Sequence, residues 1–329
     1  MDSGTHLVMG LGLAGLATVD PVVTADPTVY SAILIGTIVG SQAPDLDTLL
    51  RLKGNAIYIR NHRGASHSIP AIAIWTLLIS FLLQLAYGFT LPWLHLIGWI
   101  LLAVVIHVFT DLFNTYGTQA YRPFSKKWVS WNIIHIFDPV IFTAHVIAIT
   151  CWALRLADPA YLFPGLYAVL IVYYLWRVTA RYSLHKRLPS LDDHYEDQDS
   201  YLLIPTISLY DWNVVKQRAD GSYVIGDLKH GSKLRWVDSA RCSDHPAVEQ
   251  SMNDRSIQSF LSFTSFACAE VKEHSWGYEV RWSDVRYRHR KQYPFVGVLL
   301  MDSEYKTLGS YVGWLSDERL QKRLRMNTY

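Results

Sequence analysis

The stretch Asn61-His62-Arg63-Gly64-Ala65-Ser66-His67-Ser68 decides how the chain is read. It is a short polar block with two imidazoles and a guanidinium, and it runs straight into the apolar residues 69–89. Upstream of it lie His6 and the turn Pro44-Asp45-Leu46-Asp47, and downstream lie His107 and Asp111 inside a second apolar segment, residues 91–113. All of these are metal-ligand residue types set where bare structure gives little reason for them.

Half of the 329 residues are hydrophobic and 18% are charged, with the apolar residues concentrated in the first 180 positions and most of the charge after them. That distribution predicts an α-helical membrane bundle over residues 1–187, followed by a small cytoplasmic mainly-β (α+β) domain over residues 188–329. About four spanning helices are expected, at 69–89, 91–113, 140–156 and 161–180, against the roughly 20 residues that cross a hydrocarbon core. Two shorter apolar helices, at 5–17 and 29–39, are expected to pack against the bundle or enter it partway. The start of the chain, with Asp2 and no basic residue, does not read as a cleaved signal peptide.

Basic residues set the orientation. Arg51, Lys53, Arg60 and Arg63 precede the first span, Arg122, Lys126 and Lys127 separate the second from the third, and Arg177, Arg181, Lys186 and Arg187 follow the fourth. The two opposite turns carry no Lys or Arg, so the polar block, the central loop and the C-terminal half are expected in the cytoplasm of a multi-pass cell-membrane protein. His62, His67, His107, Asp111 and Asp138, which come from independent segments, then fall at one leaflet. A net charge of +2 and the lack of a Lys/Arg run argue against a nucleic-acid partner. Three widely spaced cysteines, Cys151, Cys242 and Cys268, predict neither a disulfide framework nor a thiolate zinc site.

After residue 189 the composition changes. Residues 191–199 read as an acidic linker, and period-two alternation follows at 212–218, 223–226, 278–282 and 295–301. Asp220-Gly221 between two such runs predicts a hairpin, and residues 248–269 read as a helix with Ile257, Phe260, Leu261 and Phe263 on its buried face.

Each candidate site residue has a plainer reading beside the chemical one. His107 and Asp111 stand four apart on one helix face, where they can share a metal or simply bond each other. Asp45 and Asp47 can hold a cation together, or Asp47 can cap a helix. His62 and His67 flank a glycine that lets both rings turn inward, and Arg63 suits a substrate phosphate or a lipid headgroup. His6 and Asp138 are further candidate ligands, and His135 is the nearest substitute, while His95 and His145 read as interface or core histidines. The set offers imidazoles and carboxylates without thiolate, which suits zinc first and manganese second, as one ion or two bridged by an aspartate. Such a centre hydrolyses a phosphoryl or acyl ester by metal-activated water, with no protein nucleophile.

Thr5-His6, Pro44-Asp45-Leu46-Asp47, His62-Arg63-Gly64-Ala65-Ser66-His67-Ser68, His107-Val108-Phe109-Thr110-Asp111 and Asp138-Pro139, in this order, resemble the YdjM-like family of membrane-bound proteins regarded as metal-dependent hydrolases. The resemblance covers about the first 180 residues, and the C-terminal part resembles only the YfhP-like subset. The family is thought to be distantly similar to the zinc-dependent phospholipase C and single-strand nuclease superfamily. That kinship implies a phosphoester substrate, lipid or lipid-like, at the membrane.

The expected function is therefore an integral membrane metallohydrolase. Its rival is a non-catalytic metal-binding or regulatory membrane protein that signals to a protein partner through its C-terminal domain. A transporter fits less well, because the candidate ligands collect at one interface and not at mid-membrane.

Overall fold

The structure, a computed structural model, describes residues 1–288, 292–315 and 324. In chain order its helices are α1 (Ser3–Leu16), α2 (Pro21–Ala25), α3 (Pro27–Gln42), α4 (Asn55–Asn61), α5 (Ile69–Ala86), α6 (Trp93–Leu112), α7 (Pro139–Ala153) and α8 (Pro159–Leu191). Then come β1 (Ser200–Pro205), β2 (Trp212–Gln217), β3 (Tyr223–Lys229), β4 (Lys233–Ala240), α9 (Pro246–Ser251), α10 (Arg255–Phe263), β5 (Ala267–His274), β6 (Gly277–Asp284), β7 (Phe295–Met301) and β8 (Thr307–Trp314). The chain divides into two compact units, one of Met1–Asp47, Arg63–Leu184 and Pro205–Leu209, the other of Thr48–His62, His185–Ile204 and Tyr210–Tyr329.

The helices of the first unit start where local chemistry tells them to. Asp20, Asp26, Asp138 and Asp158 each precede a proline, and each carboxylate accepts the N–H two residues on, at 2.7–3.0 Å. A carboxylate cap followed by proline at the first helical position satisfies one orphan donor and removes another. Ser68 caps α5 in the same way, accepting from Ala71 N at 3.3 Å. The turn between α5 and α6 is closed by buried Gln84, which donates to Leu91 O at 2.8 Å and accepts from Leu91 N at 3.2 Å. Ile33, Leu96, Ile100 and Val104 fill the core between α3 and α6. Gly10 lets α1 lie against α3, since a Cβ there would come within 2.4 Å of Ser41 Oγ.

Among the described residues, α5, α6 and α8 are long and apolar enough to cross a membrane. α7, with 15 residues, rises about 22 Å and is shorter than a hydrocarbon core of about 30 Å. α5 and α8 also leave apolar side chains exposed, among them Ile74, Leu77, Leu85, Val169, Val172 and Leu175. α8 runs 33 residues, well past the expected end at 180, since no glycine or proline interrupts residues 181–188 and Leu, Lys and Arg there favour helix.

In the second unit two four-stranded antiparallel sheets follow one another, in strand orders β1-β2-β3-β4 and β5-β6-β7-β8. The Asp220-Gly221 hairpin forms between β2 and β3 with Gly221 at φ +79°, where glycine is favoured. α10 packs Ile257 and Phe260 on the second sheet, and Gly297 permits this approach, with its Cβ position 3.1 Å from both side chains.

Two expectations need correction and one gains detail. The helix predicted over 248–269 is two helices and a strand: Asp254 caps α10 by accepting from Ser256 and Ile257, Thr264 turns extended, and 267–269 join β5. The acidic linker, exposed over residues 193–198, is pinned near its two ends. Asp192 and Asp199 are drawn onto the buried Lys216 ammonium, at 2.8 and 2.7 Å. Finally, Cys242 and Cys268 form a disulfide, with Cα atoms 5.0 Å apart. The pairing tacks the segment after β4 onto β5 beside the bond from Ser243 N to Ala269 O, a tertiary neighbourhood that cysteine spacing does not encode.

Candidate metal centre

The site is built at one end of the α5–α6 pair, where the polar block leads into α5 and the last turns of α6 carry His107 and Asp111. Both α6 side chains are buried, as is His67. Pro44 ends the regular α3 helix and turns the chain into a 3-10 helix, Ala43–Lys53, which presents Asp45 to the same place.

Four ligand atoms converge. His67 Nε2 lies 3.5 Å from Asp45 Oδ1, 3.4 Å from Asp111 Oδ2 and 3.2 Å from His107 Nε2. His107 Nε2 lies 3.7 Å from each of the same two oxygens. A tetrahedral ion with bonds of about 2.0–2.1 Å has ligand atoms about 3.3–3.4 Å apart, so these edges already suit one. Asp45, His67, His107 and Asp111 therefore form a group able to hold a metal ion.

The proton arrangement points the same way. His107 Nδ1 donates to Ser41 O at 2.6 Å, so its Nε2 carries a lone pair. Ser66 Oγ donates to Asp47 Oδ2 at 2.5 Å and accepts from His67 Nδ1 at 2.9 Å, so His67 Nε2 carries a lone pair as well. Burial pushes the His67 imidazole below its ordinary pKa, against the pull of the Asp45 carboxylate. Asp45 Oδ1 and Asp111 Oδ2 are buried and have no hydrogen-bond partner. Two carboxylate oxygens and two imidazole nitrogens thus face one another, each imidazole held through its Nδ1, an arrangement of acceptors that a cation would stabilise.

The other oxygen of Asp111 is well provided for. Oδ1 meets the Met1 amino nitrogen, His6 Nε2 at 3.3 Å, Arg63 at 3.3 Å and Asn114 Nδ2 at 3.2 Å. Its carboxylate is thereby fixed with Oδ2 turned to the quartet, as outer partners fix a ligand.

The remaining candidates lie as follows. His6 is buried, stacks on His107 with ring centres 3.7 Å apart, and leaves Nδ1 unpartnered. Asp47 stands behind Ser66 and accepts from Arg63 N at 2.8 Å. Arg63 is buried, at 3% exposure, with its guanidinium turned to Met1 O, Asn114 and Asp111 and not outward to a substrate. His62 ends α4 in the second unit, its ring stacked on Tyr58. Asp138 stands apart from the quartet: one oxygen caps α7 and the other accepts from Tyr173 Oη at 2.7 Å. His135 bonds its own turn at Phe137 O, and His145 bonds Ile141 O. Ser41, Ser66 and Asn114 were not singled out by sequence. The signal for Ser66 was its place inside the polar block, and for Asn114 a buried amide one turn beyond Asp111.

A bundle of long apolar helices with buried histidines and carboxylates at one end defines a helical membrane protein with a candidate metal centre. The chain belongs to the YdjM inner membrane protein family, whose description matches residues 1–184. Residues 246–324 match the YfhP C-terminal alpha/beta plait domain. Over 330 aligned positions the chain is 42% identical to the uncharacterized protein YfhP of Bacillus subtilis (strain 168), covering 100% of both. No solved structure matches the chain.

Proposed function

We propose that this chain is an integral membrane metal-dependent hydrolase. Its Asp45-His67-His107-Asp111 quartet holds one divalent ion, zinc first and manganese second, and acts on a phosphoester of a lipid or lipid-like molecule. The observation that carries the reading is the meeting of two buried carboxylate oxygens and two imidazole nitrogens, the nitrogens lying 3.2–3.7 Å from each other and from both oxygens. Two carboxylates and two neutral imidazoles sum to the charge that a divalent ion cancels, which matters where apolar helices exclude water. An ion there supplies an acidified water and a polarised phosphoryl oxygen. Asp45, with its side chain 13% exposed against 0% for the other three, marks the side from which substrate enters. Arg63 and Asn114 orient Asp111, and Ser66 with Asp47 orients His67. The distribution of basic residues supports four spans with this end in the cytoplasm, the short α7 being tilted little or completed by its flanking residues. Kinship with the phospholipase C superfamily belongs to the same proposal.

One observation favours a second reading. Four protein ligands at tetrahedral spacing is the pattern of a closed, structural site, whereas catalytic zinc sites keep a position open. On that reading the ion stabilises or senses, and the β-rich unit binds a protein partner.

The deciding experiment assays the metal-loaded protein in lipid nanodiscs against phospholipids and chromogenic phosphoesters. Turnover that chelation removes, metal restores and His107→Ala abolishes is expected. Stoichiometric metal with no turnover on any phosphoester would sink catalysis and leave the second reading. An absence of bound metal would end both.

A further inference from the structure

Between Asp111 and Asp138 the chain contains no acidic residue, yet it carries Arg122, Lys126 and Lys127 among Tyr116, Tyr121, Phe124, Trp128 and Trp131. The loop at the centre of this stretch is held firmly. Thr118 and Val129 exchange both backbone bonds, at 3.0 and 2.9 Å, and inside them Gln119 Nε2 donates to Lys126 O at 2.7 Å and Ser125 N to Tyr121 O at 3.1 Å. Two more bonds tie it to the polar block and to the start of α5: Gln119 N to Arg63 O at 2.9 Å and Ile69 N to Ala120 O at 3.2 Å. It therefore stands at the end of the α5–α6 pair that carries the quartet.

What this ordered loop presents is unusual for a water-facing turn. Phe124 is 86% exposed and Tyr121 49%, and the Lys126 and Lys127 side chains are exposed beside them. Among the described residues no carboxylate pairs with Arg122, Lys126 or Lys127. A rigid loop that holds a phenylalanine clear of the protein, between unpaired cations, has the chemistry of a wedge for an anionic lipid surface. The ring enters the boundary between headgroups and acyl chains, and the ammonium groups meet phosphates. Aromatic and basic residues at the end of a spanning helix are placed at that depth.

We infer that the 118–129 loop is an anionic-phospholipid binding element, which seats Phe124 and Tyr121 in the headgroup layer and gathers anionic lipid beside the quartet. The inference rests on α5 and α6 crossing the bilayer, and the test separates the two claims. In the full-length protein with Cys151→Ser, single labelling sites are made by Phe124→Cys, Leu77→Cys in α5 and Asp220→Cys in the β2–β3 turn. Nitroxides at each are compared in nanodiscs of phosphatidylcholine alone and with phosphatidylglycerol, by collision with oxygen and with a nickel chelate. The label at 77 reports the span, and the label at 220 reports water.

The expected result is oxygen-favoured collision at 77 and an intermediate, bilayer-side value at 124 that deepens with phosphatidylglycerol. Phosphatidylglycerol co-purifying with the protein should fall several-fold in Lys126→Gln/Lys127→Gln, measured by lipid mass spectrometry. A label at 124 as nickel-accessible as that at 220, while 77 stays in lipid, overturns the loop's role alone. Nickel access at 77 overturns the spanning reading and the loop's role together. An unchanged phosphatidylglycerol content in the double variant overturns the assignment of the cations.

Discussion

At the scale of single residues, the arrangement separates atoms that would touch an ion from atoms that aim them. Asp45 Oδ1 faces the imidazole Nε2 atoms at 3.5 and 3.7 Å, whereas Asp47 lies on the other side of the His67 ring, 3.8 Å from Nδ1 and bonded to Ser66 Oγ. Asp47→Asn should therefore weaken metal binding by about 10–100-fold with stoichiometry intact, the usual effect of losing an outer partner. Asp45→Ala should abolish it, and competition with a chromophoric chelator reads both. Equal loss in the two variants would make Asp47 a ligand in its own right. The i, i+4 spacing of His107 and Asp111 was legible in the sequence because a helix imposes it. The ranking of Asp45 over Asp47 was not, because it depends on which way a 3-10 turn points two carboxylates and on a serine hydroxyl between them.

Asp138 makes the same point. Asp-Pro recurs at 20, 26 and 158 as a helix start, and at 138 both oxygens are engaged by Val140 N, Ile141 N and Tyr173. Asp138→Ala should cost about 1 kcal/mol of stability or somewhat more. It should leave metal content unchanged, which elemental analysis beside a thermal melt would reveal.

At the scale of elements, the apolar segments and the Asp220-Gly221 hairpin were readable because periodicity and turn chemistry are local properties. The end of α10 and the start of β5 were not, since strand pairing with β6 overrides a helical pattern over 267–269. The Cys242–Cys268 bridge is likewise a product of the way β4 leads to β5. For the 26-residue separation, chain-entropy reasoning gives the bridge about 3–4 kcal/mol. Cys242→Ser should lower the stability of the β-rich unit by about that amount in oxidising buffer and by little in reductant. An equal effect in both buffers would show that the thiols stay reduced.

At the scale of the whole molecule, the division into an apolar first part and a charged second part was written in composition. What composition hides is that the acidic stretch of the second unit is held by buried charge within that unit. Lys216 is 1% exposed and meets Asp192, Asp199 and His194 O. Burial opposes ionisation of Asp192, but the Lys216 ammonium, with Tyr201, His194 N and Trp236, brings its pKa to about 2. Because that value is depressed from the ordinary carboxylate range near 3.9, its contribution is full above about pH 4 and lost as pH falls towards 2. Acidification should loosen the second unit in that window, followed by near-UV circular dichroism. Lys216→Met, which strands two carboxylates, should cost about 3–5 kcal/mol at neutral pH. A loss below about 1 kcal/mol would mean that water reaches the cluster.

The central claim is that four side chains from three separate segments of the chain hold one divalent ion. It is tested most directly by elemental analysis of protein grown metal-replete and purified without chelator, for wild type and Asp111→Ala. One equivalent of zinc or manganese is expected in the wild type and a small fraction of that in the variant. No transition metal in either, or the same amount in both, would contradict it and leave the quartet as buried acceptors filled by water or protons.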